Sequence, residues 1–411
     1  MRRVLLVASK TGYQVREFHG AAEQLGIDLV LATDRCHVLD DPWGDHAIAL
    51  SGAGPPPASE IDFEALRARG PFDGVLAVGD HPAFIAARCA ERLGLRFHPS
   101  GAVNAANDKR RTRERFLGSG LNAPDFRIAG ENGAPQFPCV LKPLRSSASR
   151  GVIRANTPEE FAAALARIHK ITGDDTVLVE DFIPGREFAL EGIVTAGKLE
   201  TLAIFDKPDP LEGPFFEETI YVTPSREPAS IQHAIQEAAQ DAITALGLEF
   251  GPVHAEMRVN DRGVWMLEAA ARPIGGLCSR VLRFEHGMNS PGEMSLEALL
   301  LRHALGEDVA RARLAPGAHG VMMIPIPAAG IYSGVEGLEQ ARETAGIEAV
   351  EITAKEGHRL EPLPEGATYL GFLFARAPDA EGVERALRQA HACLRFNIVP
   401  ALPVIGAKRG D

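Results

Sequence analysis

Glu256 and Glu268 are the residues whose spacing most directly implies chemistry. They lie in the stretch Pro252–Arg272, which reads as two strands joined by a short turn. Asp261-Arg262-Gly263 fits a three-residue hairpin loop with Gly263 at the position that needs positive φ. Asn260 then faces Val264, and the register sets Glu256 directly opposite Glu268. Side chains alternate along a strand. One face therefore carries Val253, Ala255, Met257, Val259, Trp265, Leu267 and Ala269 and packs on a core. The other carries His254, Glu256, Arg258, Glu268 and Arg272, with Met266 and Ala270 between them. Directly opposed like charges destabilise a sheet, so the pair needs a counter-charge. Oxygen-only ligation suits Mg2+ or Mn2+, with phosphates filling the remaining positions. The same residues also fit the solvated face of an ordinary hairpin, with the glutamates paired to Arg258 and Arg272. A bulge would shift the register by one.

The elements before the hairpin supply its possible partners. In residues 138–153, PCVLKPLRSSASRGVI, a strand delivers Lys142 into the small-residue loop Ser146–Gly151. Small residues let backbone N–H groups approach phosphate oxygens, which a lysine neutralises. Ser-rich hairpin loops also occur with no ligand, and this is not a Walker pattern. Asn107-Asp108-Lys109 opens a basic helix, KRRTRERFL, with Asp108 as its acidic cap, and its arginines read as a solvated face. Thr157 with Glu160 forms a capping box for the next helix. The run TVLVEDFIPGREFALEGIV leads through Glu180–Ile183 and a Pro184-Gly185 turn into an alternating stretch that begins at Glu187. This stretch pairs with KLETLAIF as an antiparallel hairpin. Residues 231–247 have the period of an amphipathic helix.

At the start of the chain, apolar strands at 2–8, 27–33 and 72–80 alternate with helices, which argues for a parallel sheet. Lys10, Thr11, Gly12 and Asp80 sit at the carboxyl ends of its strands, where ligands bind, although turn chemistry is the simpler reading of each. There is no GxGxxG, so a dinucleotide site is unsupported.

The 411 residues predict two or three domains, and 45% hydrophobic with 24% charged residues is a globular composition. A net charge of −12 argues against a general nucleic-acid binder but allows a local basic pocket. The start, MRRVLLVASKTG, reads as a strand and loop rather than a signal peptide. No apolar run approaches the ~18–20 residues of a membrane span. Cys36, Cys89, Cys139, Cys278 and Cys393 are scattered without a CxxC, which suits reduced thiols in a cytoplasmic protein.

Taken in order, these elements resemble the ATP-grasp superfamily of carboxylate–amine ligases over about residues 1–310. The resemblance implies ATP and Mg2+ (or Mn2+) as cofactors. Lys109 matches the first phosphate-contacting lysine and Lys142 the second, ahead of a closing loop at Ser146–Gly151 that includes Ser146, Ser147, Ser149 and Gly151. Glu180, Asp181, Phe182 and Ile183 match the hinge whose backbone reads adenine, and Glu187 matches the acidic residue on the ribose hydroxyls. Glu256 and Glu268 match the metal-bridging glutamates. Arg272 matches the arginine at the reacting phosphate and carboxylate oxygens. The common pattern Glu-x-Asn-x-Arg has Ala270 at its Asn position here, which puts the number of metal ions in question.

The form EAAARPIGG and the C-terminal stretch, roughly 318–400, are similar to the subgroup that includes L-amino acid ligases, which make dipeptides. The implied fold is α/β and α+β, divided as 1–105 (parallel α/β), 106–185 (small subdomain with phosphate loop and adenine hinge), 186–310 (large subdomain with the metal and catalytic hairpin) and 311–411 (C-terminal domain). The implied activity is ATP-dependent joining of a carboxylate, as an amino acid, to an amine, with ADP and phosphate released. Alternatives are a ligase for a non-amino-acid carboxylate or amine, a carboxylase-type enzyme, and a nucleotide-binding protein without turnover. Superfamily analogy also suggests a homodimer.

Beside the reacting centre, Gly275 and Gly276 would leave space for substrate or form a tight turn. Arg258, near His254, would clamp a substrate carboxylate or pair with a glutamate. His286 falls in a polar segment that is a lid or a surface loop, and His303 reads as structural.

Overall fold

The computed structural model of the chain describes residues 1–8, 13–33, 48–51, 60–61, 63–131, 135–174, 176–285 and 292–401. Lys10, Thr11, Gly12, Cys36 and His286 lie outside the described residues.

Three sheets position the site. The first has five strands in the order Glu60–Ile61, Ile48–Ser51, Asp28–Thr33, Arg3–Ala8, Gly74–Val78. Arg3–Ala8 runs parallel to both its neighbours. Its continuous apolar run reflects burial on both faces. After Gly74–Val78, Gly79 (φ 101) turns the chain into the helix Asp80–Leu93, placing Asp80 in its first turn.

The second sheet is antiparallel, in the order Phe126–Ile128, Val177–Asp181, Cys139–Pro143, Ile153–Ala155. The helix Pro158–Thr172 covers it, capped by the Thr157 hydroxyl, and Leu141, Ile153, Ile168 and Val179 share its small core. The strand Cys139–Pro143 carries Lys142 to the Ser146–Gly151 loop. There Ala148 and Ser149 take left-handed φ values of 52 and 53, and a Cβ at Gly151 would meet the Pro143 ring at 2.8 Å.

The third sheet has eight strands: Gly263–Ala270, Phe250–Asn260, Arg186–Thr195, Lys198–Asp206, Ile220–Thr223, Ala318–Ile324, Gly371–Ala377, Ile347–Ile352. It runs across residue 310, because Ile220–Thr223 pairs with Ala318–Ile324, Tyr221 opposite Val321. The C-terminal residues therefore extend the sheet that holds the hairpin. The helix Ala229–Leu246 shares one core with the hairpin's inner face, Ile235, Ala239 and Ile243 with Val253, Ala255 and Met257.

Glu256 is opposite Glu268, as expected, but the path to that register differs. The turn is Asp261-Arg262 alone, and Gly263 (φ 110) pairs with Asn260 in place of Val264. The strands thus start one residue out of phase. A bulge beyond Met257, with Leu267 as the extra residue, restores the register before the glutamates. Between turn and bulge the faces are exchanged. Met266 is fully buried with Met257 in the core, while Leu267 lines the cavity described below. Trp265 stands opposite Arg258, its Nε1 donating to Asn260 Oδ1 at 3.2 Å. The expected core-face positions of Trp265 and Leu267 are corrected accordingly.

Candidate active site

A cavity of about 1000 Å³ lies where the three sheets meet. Its lining includes Lys109, Lys142, Ser146, Ser147, Ser149, Glu180, Asp181, Phe182, Ile183 and Glu187 from the predicted nucleotide set. It also includes His254, Glu256, Arg258, Glu268, Arg272, Gly275 and Gly276. Gly151 is not in the lining; its N–H donates to the Pro364 carbonyl at 2.9 Å.

At one end of the cavity, Lys142 Nζ lies 2.6 Å from Glu180 Oε2, and Arg113 Nε lies 2.7 Å from Glu180 Oε1. Burial works against the Glu180 carboxylate, but Arg113 and Lys142 outweigh it and hold its pKa below the usual range. Burial pulls the Lys142 ammonium down, only partly offset by Glu180. Lys109 Nζ donates to the Ser146 carbonyl at 2.6 Å and so holds the loop from below. The N–H groups of Asp181 and Phe182 are taken by the Asp125 and Pro138 carbonyls at 3.0 and 3.1 Å. That restricts any backbone reading of a ring here to the remaining groups of the hinge.

In the middle sits a cluster of charges. Lys207 Nζ is 2.9 Å from Glu187, 2.5 Å from Glu218 and 2.9 Å from Glu256. Burial opposes its charge, but the carboxylates prevail and raise its pKa well above normal. Tyr221 donates its hydroxyl proton to Glu218 at 2.8 Å. Burial lifts Glu218 to about 7, against the pull of Lys207. Arg258 donates to Glu187 Oε2 at 3.0 Å, to the Ile183 carbonyl at 2.8 Å and to the Leu211 carbonyl. Its guanidinium is thus spent on protein acceptors. The pair with Glu187 is the glutamate pairing expected as one of the two readings of Arg258.

At the far end, His254 Nδ1 lies 3.1 Å from Glu191, and its Nε2 lies 3.6 Å from Glu256. Burial disfavours the imidazolium, yet the two glutamates hold it up at about 9. Glu191 is fully buried and also accepts from the Ile274 N–H at 3.1 Å. Arg272 Nε is 2.6 Å from Asp80 Oδ1, which joins the hairpin to the first sheet. Gly276 (φ 63) lies under the Phe372 ring, where a Cβ would come within 3.3 Å. Ile274, Cys278, Met323, Tyr369 and Phe372 make this end apolar.

The donors suit a hard divalent cation. Glu187, Glu218 and Glu256 each bring a carboxylate oxygen within 4.8 Å of the others, with the Lys207 ammonium now among them. Among the described residues, no hydrogen bond or ion pair engages Glu268, across the ladder from Glu256. Ala270 is buried opposite His254 and offers no donor. An oxygen-only set with one unengaged carboxylate fits Mg2+ or Mn2+.

Sequence reasoning missed Glu191, Lys207 and Glu218, placed Arg113 on a solvated face where it is in fact buried, and left Asp80 between a ligand-binding strand end and turn chemistry. A signal for Glu191 did exist. Glu187 and Glu191 lie on one face of Arg186–Thr195 and stand directly opposite Arg258 and His254.

The ATP-grasp domain family matches residues 135–281, the ATP-grasp N-terminal domain family residues 18–96, and L-amino acid ligase C-terminal domain 2 residues 322–399. The ATP-grasp enzyme fsqD of Aspergillus fumigatus is 26% identical over 318 residues, 66% of this chain and 55% of that protein. Alanine–anticapsin ligase of Bacillus subtilis is 30% identical over 254 residues, 53% of this chain and 52% of that protein. The chain therefore spans little more than half the length of these curated relatives. The crystal structure of an L-amino acid ligase from Bacillus licheniformis superposes with a TM-score of 0.80 at 24% identity, covering 97% of this chain and 99% of that one. At that identity the likeness establishes the fold.

Proposed function

We propose that this chain, whose residues 135–281 match the ATP-grasp domain family, is an ATP-dependent carboxylate–amine ligase whose carboxylate substrate is an amino acid. The observation that carries the reading is one cavity lined by Lys109, Lys142, Glu256, Glu268 and Arg272, with an apolar wall at Cys278, Met323, Tyr369 and Phe372. That wall suits a substrate with an apolar side chain, and the second substrate in this reading is another amino acid.

A carboxylate is a poor electrophile. Transfer of the ATP γ-phosphoryl group to one of its oxygens yields an acyl phosphate and ADP. The amine then attacks the carbonyl carbon, and the tetrahedral oxyanion collapses with loss of phosphate and of the amine proton. Lys109 and Lys142 add fixed positive charge beside the Ser146–Ser149 backbone, where the phosphates would lie. Arg272, held by Asp80, is the donor for charge that develops on the reacting oxygens, the interaction that usually contributes most. A divalent cation held by Glu256 and Glu268 would neutralise charge between the β- and γ-phosphates. Enclosure by Ser146–Ser149 keeps water from the acyl phosphate.

Among the described residues no helix is long and apolar enough to cross a membrane. Cys89, Cys139, Cys278 and Cys393 are free thiols, which supports a cytoplasmic setting. A homodimer belongs to the same reading, and light scattering checks it.

Phosphate release from MgATP, measured against amino acids singly and in pairs with product mass by spectrometry, tests the function. Release that requires a pair, with a product at the condensed mass, supports it. ATP binding with no release from any amino acid mixture moves the reading to another acid and amine.

A further inference from the structure

The phosphate loop is held from outside its own subdomain. The N–H of Gly151 donates to the Pro364 carbonyl at 2.9 Å, and Arg150 Nε donates to the Glu365 carbonyl at 3.0 Å. The Glu365 carboxylate is gripped by both arms of Arg167, at 2.6 and 2.9 Å, from the helix that covers the small sheet. Two consecutive residues of the C-terminal region thus meet the loop backbone, a loop side chain and the helix behind it. The same segment then runs on to Tyr369 and Phe372, which wall the apolar end of the cavity.

We propose that Glu365 is a positioning residue for the nucleotide phosphates: Arg167 anchors its carboxylate, and its backbone carbonyl and that of Pro364 then hold Arg150 and Gly151 of the Ser146–Gly151 loop. This rests on the nucleotide reading given above. The physical reason lies in the loop's composition. Ser, Ala and Gly give a chain with many accessible conformations, and fixing them at the moment of binding costs affinity. A loop already fixed from the C-terminal region has met that cost in advance. An exposed ion pair ordinarily contributes little, but a two-armed arginine–carboxylate contact is the geometry in which it does. Glu365 and Arg167 are both partly exposed, so the pair acts on the local order of the loop and hardly on the global fold.

Calorimetric titration of the full chain with ATP and, separately, with adenosine tests this. Glu365→Gln and Arg167→Met remove the pair from its two ends. Each variant is expected to bind ATP roughly 3- to 10-fold more weakly, with adenosine affinity within about twofold of wild type. The double variant should be no weaker than either single one, and Glu365→Asp should recover part of the loss. Unchanged ATP affinity in both variants overturns the proposal. So does a parallel loss for ATP and adenosine, because that signals general loosening instead of a phosphate-specific role. A wild-type chain that binds neither ligand overturns the nucleotide reading itself, which is a separate failure.

Discussion

Arg272 Nε lies 2.6 Å from Asp80 Oδ1, so the arginine just beyond the glutamate hairpin is oriented by the first turn of a helix in a different sheet system. The Asp80 backbone carbonyl is itself fixed by the Asn107 side-chain amide at 2.6 Å, next to the helix that starts at Lys109. Burial opposes the charge of Arg272, but Asp80 and Glu268 outweigh it and raise its pKa. The guanidinium is therefore permanently charged and aimed. Arg272→Lys keeps the charge and loses the fork; it should lower kcat about 10²- to 10³-fold. Asp80→Asn leaves the arginine in place but less well held, and should lower kcat about 10-fold with KM for ATP nearly unchanged. Steady-state kinetics on both variants checks this. A larger effect on KM than on kcat for Asp80→Asn would show that the aspartate serves binding instead.

The two opposed glutamates should respond differently to loss of charge. Glu256 is tied to Lys207 and His254, which hold its pKa well below normal against the effect of burial. Glu268 makes no hydrogen bond or ion pair among the described residues, and its charge reaches only as far as Arg272 at longer range. Glu256→Gln should destabilise the fold by about 1–3 kcal/mol, whereas Glu268→Gln should change stability by less than about 0.5 kcal/mol. Both should reduce turnover by at least about 10²-fold. Urea unfolding paired with activity separates the cases. Equal destabilisation by the two variants would mean that Glu268 also has a structural partner.

The Glu256–Glu268 pairing was reached in the sequence through a three-residue turn; alternation from the two-residue turn that forms would set Glu256 opposite Leu267. The bulge that delivers the pairing was not legible. A two-residue turn and a compensating extra residue give the same final register as the three-residue turn that was expected. Lys207 and Glu218 were beyond reach for a different reason. They flank the irregular connection between Lys198–Asp206 and Ile220–Thr223, where no periodicity reports direction. Their meeting at Glu256 depends on the order of strands in the large sheet. The joining of the C-terminal strands to that same sheet also rests on a long-range pairing, between Tyr221 and Val321, that no local pattern announces.

Lys207 occupies the space among three carboxylates that a divalent cation would otherwise claim. Removing it leaves buried negative charge without compensation, at a cost of about 3–5 kcal/mol. Lys207→Met should therefore be markedly less stable than wild type in metal-free buffer. Mn2+ or Mg2+ should return much of that stability to the variant while raising the wild-type midpoint far less, since the ammonium already supplies the charge. Thermal unfolding with and without each metal reads this directly. A variant as stable as wild type without metal would show that the three carboxylates tolerate one another, through protonation at Glu218.

His98 links acid sensitivity to the strand that carries the site. Its Nδ1 accepts from the N–H groups of Glu249 and Phe250 at 3.1 and 3.2 Å, and its Nε2 faces the Pro252 carbonyl at 3.1 Å. That pattern requires a neutral ring with the proton on Nε2, because a proton on Nδ1 would confront two donors. Burial is the main cause that pulls its pKa down to about 4, with the Pro252 carbonyl working the other way. The unfolded chain, with an ordinary histidine near ~6.5, takes up the proton first as pH falls. The stabilisation is therefore complete above about pH 6.5 and is lost as pH drops toward the folded value, by about 1.4 kcal/mol per unit in between. His303, stacked on Phe250 at 4.1 Å and also drawn down to about 4 by burial, adds a slope of the same sign. The informative quantity is thus the difference between wild type and His98→Asn. Urea unfolding from pH 7 to pH 4.5 should show the wild-type advantage shrinking steadily on acidification. A constant difference across that range would mean that His98 holds Pro252 equally well when protonated, and that the acid response of the strand before His254 lies elsewhere.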